Sequence, residues 1–132
     1  MSHAVISRYY EAFNAGDITG MTDCLSDDFA HDVNEGARRL GKEAFGAFCA
    51  HMSETYQENL TDIHVFANAD GTRGAAEFIV NGTYLKTDPG LPAAHGQSYC
   101  LPAGGFFTLQ DGLITRVTTY YNLQDWIAQV SE

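Results

Sequence analysis

The sequence predicts an α+β domain. Helical spacing of apolar residues fills the first half, strand-like runs separated by turn signals fill the second, and 45% hydrophobic against 18% charged residues is the profile of a folded core. Val5, Ile6, Tyr9, Tyr10 and Phe13 recur at helical spacing from residue 4 to 13, with Ser2 placed to cap the start and Gly16 to end the run. Asp17 then caps a short second helix carrying Ile18, Met21 and Leu25. A third helix is expected over residues 42–53, with the stripe Phe45, Phe48, Cys49 and Met52. Between the second and third helices, residues 29–40 read as a short strand, a turn at Gly36 and a return.

The strands of the second half are expected at residues 60–68, 73–86, 97–109 and 113–121. Asp70-Gly71 and Asp111-Gly112 mark hairpin turns, because these residue types tolerate positive φ. Asp88-Pro89-Gly90-Leu91-Pro92 is long enough for a lid, with His95 in the same stretch, and a last helix spans residues 123–130. Helices first and a meandering antiparallel sheet afterwards fit one domain over residues 1–132, with a cone-shaped cavity between sheet and helices. Glu77, Ile79, Asn81 and Thr83 fall on the sheet's other face, where a second copy of the chain is the expected cover.

The formal net charge of −10 disfavours nucleic acid and anionic membranes as partners. Cys24, Cys49 and Cys100 are too scattered for a disulfide framework or a zinc site and are expected as reduced, buried thiols. The opening Met1-Ser2-His3-Ala4 lacks the basic and long apolar regions of a signal peptide, and no run is long enough to span a bilayer, so the cytosol is the expected compartment. No dinucleotide or phosphate loop, H-E-x-x-H pair or G-x-S-x-G elbow occurs. Cofactor-free acid–base chemistry, without a metal, or plain binding remains.

The stretch Arg8-Tyr9-Tyr10-Glu11-Ala12-Phe13-Asn14-Ala15-Gly16-Asp17 resembles the first helix of ketosteroid isomerase. The Asp27-Asp28-Phe29 step and Tyr120-Tyr121-Asn122-Leu123 are similar to SnoaL-like polyketide cyclases. With the order of elements, these residues resemble the nuclear transport factor 2-like (NTF2-like) superfamily, which contains both. The resemblance implies a cystatin-like cone, with a curved antiparallel sheet packed on three N-terminal helices. Tyr9 falls where the isomerase has its oxyanion-hole tyrosine. The isomerase's base aspartate and protonated acid fall on Val33 and Gly104, the cyclase aspartate falls near Thr119, and of the epoxide hydrolases' Asp-Arg-Asp set the last strand offers only Arg116.

Asp32, one position from the expected base, and His31, on the face of Val33, are therefore the candidate bases beside Tyr9, with Asn34 next to them at the mouth. If the isomerase pairing holds, Phe78, Val80, Gly82 and Tyr84, then Phe106 and Thr108, then Val117, Thr119 and Tyr121 line an apolar pocket for a small, weakly polar ligand. The expectation is a lyase or isomerase moving a proton on an enolisable carbonyl compound. The alternative is a non-catalytic ligand-binding or dimerisation module.

Overall fold

The computed structural model describes residues 2–33 and 36–131. Helix α1 (Ser2–Ala15) opens the chain and buries Val5, Ile6, Tyr9, Tyr10 and Ala12 along one face. It stops at Gly16, whose φ of 71° is open to glycine at no steric cost. A capping role for Ser2 rests on a side chain outside the described structure. The Asp17 side chain accepts the Gly20 N–H at 2.9 Å and starts α2 (Ile18–Thr22). Strand β1 (Leu25–Val33), with Leu25 already in it, β2 (Arg39–Leu40) and helix α3 (Lys42–Thr55) complete the first half.

Strands β3 (Tyr56–Ala67), β4 (Arg73–Tyr84), β5 (Ser98–Gln110) and β6 (Leu113–Tyr121) form the long sheet, and α4 (Leu123–Val130) follows. At the β5–β6 turn both Asp111 and Gly112 have positive φ, as the two-residue hairpin requires. At the β3–β4 turn only Gly71 does; Asp70 instead accepts the Thr72 N–H and hydroxyl within a wider loop.

The six strands run in the order β2-β1-β6-β5-β4-β3, an open sheet with helices on one side. The four long strands form the expected antiparallel meander, and β1 adds to it by pairing in parallel with β6. In β3 a register shift between Thr61 and His64, with Asp62 at φ 53°, inserts a bulge. Before it, Leu60 points inward; after it, Ile63 and Val65 do, because the extra residue reverses the alternation of faces.

Two expectations about side chains change. Cys24 and Cys49 are buried, but Cys100 is exposed on β5, and all three are free. Phe106 and Thr108 lie on the outer face. Directly opposed residues share a face, and Val117 and Thr119 are opposite Phe107 and Gly105, so the odd residues of β5 turn inward. Phe106 is accordingly 49% exposed and Phe107 fully buried. Among the described residues no helix is long and apolar enough to cross a membrane.

Candidate active site

Between the sheet and helices α1 and α3 lies a solvent-open cavity of about 1270 Å³. It exceeds the roughly 300–1,000 Å³ of an ordinary small-molecule site. Tyr9, Tyr10 and Phe13 enter it from α1, and Phe45, Phe48, Cys49 and Met52 from α3. Phe78, Val80, Leu101, Ala103, Thr119 and Tyr121 come from the sheet. Among the described wall residues there is no lysine or arginine, and the ionisable groups other than tyrosine and cysteine are His31 and Glu58.

Tyr9 sits on the buried face of α1, its ring edge-on to Tyr10 at 5.2 Å and to Phe107 at 5.9 Å. Its hydroxyl makes no hydrogen bond to a described residue, and burial first, then neighbouring Tyr10, pushes its pKa well above the usual phenol value. The group is thus a neutral donor at any physiological pH. Cys49 is a thiol for the same reason, its pKa pushed up to about 11.

His31 is 4% exposed and wedged among Phe29, Phe45 and Phe48, with Phe48 4.7 Å away. It makes no hydrogen bond to a described residue, and its Nδ1 is buried without a partner. Burial, reinforced by the Arg39 charge across the β1–β2 pair, lowers its pKa from 6.5 to about 4, against a smaller opposing effect of Asp32. The imidazole is therefore neutral at pH 7. Arg39 lies over Phe48 at 4.6 Å, and its Nη1 is likewise buried without a partner among the described residues.

Asp32 is turned away. Strand alternation puts it on the outer face of β1, where Arg38 grips it with Nε at 2.7 Å and Nη2 at 2.9 Å, and the Thr118 hydroxyl donates at 2.9 Å. The Arg38 hydrogen bond, more than any other influence, holds its carboxyl down at about 2. No bulge at Asp32 returns it to the cavity; its register with Thr118 is regular. As a base inside the pocket it is corrected to the anchor of an outer-face network that continues through Thr118 and Arg116 to Thr108.

The remaining expected wall residues divide. Phe78, Val80, Thr119 and Tyr121 line the cavity. Tyr84 and Val117 face inward but are packed solid beneath it. Tyr84 stacks on Tyr56 at 5.5 Å, donates to the Pro92 carbonyl at 2.7 Å and accepts the Asp88 N–H at 3.0 Å. Phe106 is on the far side of the sheet, and Asn34 lies outside the described residues. The Pro-rich loop is pinned rather than loose: the Tyr56 hydroxyl donates to Asp88 at 2.6 Å, His51 Nε2 lies 3.1 Å from the same carboxylate, and Leu91 joins the wall. His95 stays exposed, its N–H donating to Gln97 Oε1 at 2.6 Å.

Sequence reasoning missed Glu58, Tyr56, Tyr99 and Trp126, all of which border the cavity. It started the third strand at Leu60, four residues late. The alternation Tyr56, Glu58, Leu60 was the available signal.

A cone of helices on a bent mixed sheet around a large, mostly apolar hollow is the NTF2-like fold. Residues 6–117 match the SnoaL-like domain, and the chain belongs to that family. A protein of Silicibacter sp. TM1040, provisionally named a polyketide cyclase, is 66% identical with a TM-score of 0.97, covering 99% of this chain and 96% of that one. A second of that provisional name, from Pseudomonas putida KT2440, is 52% identical with a TM-score of 0.97, covering 99% and 98%. An NTF2-like protein from Burkholderia pseudomallei K96243, at 15% identity and a TM-score of 0.78 over 99% and 98% of the chains, shares the fold. No curated protein matches the chain.

Proposed function

We propose that this chain is a cofactor-free enzyme of the ketosteroid isomerase and polyketide cyclase kind, moving a proton on an enolisable carbonyl compound held in the cavity. The carrying observation is that Tyr9 and His31, which both line the cavity and both contact the ring of Phe45, make no side-chain hydrogen bond to another described residue. Tyr9 donates to the carbonyl oxygen as charge develops there. His31, neutral at pH 7, takes the proton. An imidazolium is costly in an apolar wall, so it returns its proton promptly to another atom of the same substrate. The apolar rings bind the substrate's body and exclude water.

The test is exchange of α-protons for deuterium, followed by NMR over a panel of cyclic enolisable ketones. Tyr9→Phe and His31→Gln are each expected to slow the exchanged substrate by about 10²–10⁴-fold with the fold intact, the range for losing one acid–base or oxyanion group. Asp32→Asn is expected to leave the rate near that of the parent. Parental rates in both cavity variants would end this mechanism.

Asp32's turn out of the cavity supports a second reading, a binding module without chemistry. Thermal-shift hits that stay unconsumed in a turnover assay would favour it. On either reading we propose a homodimer, with the outer sheet face covered by a second copy; Phe106 and Tyr120, ring centroids 5.8 Å apart, are half exposed there.

A further inference from the structure

Glu58 is the one carboxyl group in the cavity wall among the described residues, and nothing on that wall balances its charge. Strand β3 delivers it inward between Tyr56 and Leu60. The register aligns Glu58 with Gly82 on β4 and Gly82 with Tyr99 on β5. A Cβ at Gly82 would sit inside the Tyr99 ring. Because none is there, the ring lies across β4, and its hydroxyl reaches two strands over to donate to Glu58 Oε2 at 2.6 Å.

The other oxygen, Oε1, accepts no hydrogen bond from a described residue. None of the ion pairs among the described residues involves Glu58. Burial raises its pKa above the usual carboxylate value, and the Tyr99 hydrogen bond offsets only part of that. The half-buried carboxylate has a single phenol as donor, which leaves Oε1 open to a cation or to further donors. No group of three metal-ligating side chains occurs among the described residues, so a metal ion is not the obvious counter-charge. Around the carboxylate the wall is aromatic: Trp126 lies 5.8 Å from Tyr99 and 5.9 Å from Tyr56. Rings beside a carboxylate suit an organic cation better than a strongly hydrated ion.

We propose that the row Glu58–Gly82–Tyr99 is a subsite for the ammonium group of an amine whose apolar body occupies the cavity. Oε1 accepts the ammonium's N–H, and Tyr99 holds the carboxylate in place. This goes beyond the proton-transfer reading and does not rest on it.

The test is calorimetric titration at pH 7 with hexylammonium and with its neutral counterpart 1-hexanol, alongside amide chemical-shift mapping by NMR. The unmodified protein is expected to bind the amine at least tenfold more tightly, with shifts clustered at residues 58, 82 and 99. Glu58→Gln, which keeps an acceptor for Tyr99, is expected to erase the preference. Asp28→Asn, at an exposed carboxyl, is expected to keep it and so exclude attraction by overall negative charge. Tyr9→Phe is also expected to keep it, which separates this subsite from the proposed chemistry. Equal affinity for amine and alcohol, a preference surviving Glu58→Gln, or shifts clustered away from that row would each overturn the proposal. The mapping uses the unmodified protein and decides the matter even if the glutamine variant fails to fold.

Discussion

At the scale of single residues, two neighbours on β1 have opposite fates. His31 points into aromatic rings and resists a proton; Asp32 points outward and is held ionised by Arg38. The pH dependence follows from the signs. The His31 pKa falls from 6.5 to about 4, so between those values the unfolded chain binds a proton that the folded chain does not. Stability is therefore lost as pH drops from about 6.5 towards 4, by on the order of 2–3 kcal/mol from this group, and levels off below. Asp32 acts in a lower window: its contribution is present above its ordinary pKa of 3.8 and is lost as pH falls towards about 2. His31→Phe, which keeps an aromatic ring in the cluster, is expected to flatten the upper window alone. Thermal unfolding followed by circular dichroism at pH 7 and 4.5 checks this, and a variant as acid-sensitive as the parent would contradict it.

At the scale of elements, neighbouring strands exchange space. Gly82 yields its volume to the Tyr99 ring, so Gly82→Ala drives a methyl group into that side chain and the ring must be pushed aside. The expected loss is about 1–3 kcal/mol in chemical denaturation, with the Tyr99–Glu58 bond broken. A neutral substitution would show that the ring is free to swing away. The elements themselves were mostly legible: β6 and α4 have the expected spans, β6 opening from the Asp111-Gly112 turn, while the cap that Asn122 gives α4 was not foreseen. What was hidden depends on long-range register. The inward parity of β5 is fixed by β6, and the partner of β1 is a strand near the other end of the chain, neither of which a local pattern can reveal. The same limit hid Glu58, since its role depends on a glycine 24 positions away and on a tyrosine beyond it.

At the scale of the whole molecule, one face of the sheet is spent on the cavity and the other carries Phe106 and Tyr120 beside the Asp32–Arg38 network. If a second copy covers that face, Phe106→Asp places a charge where apolar contact is needed. Sedimentation velocity is expected to show the parent as a dimer and this variant shifted to monomer, with the far-ultraviolet circular dichroism unchanged. A parent that sediments as a monomer at all concentrations would refute the dimer.

The parallel pairing of β1 with β6 also has a consequence for how the protein is made. His31 acquires its sheet neighbour Val117 only once that residue has been synthesised, so during translation the early helices and β1 lack the surface they are meant to rest on. Phe29, Phe45 and Phe48 have His31 and one another as early neighbours, but the strand that flanks β1 comes last. The same closure that shapes the hollow late therefore sets an interval in which the half-made protein needs protection from its own kind.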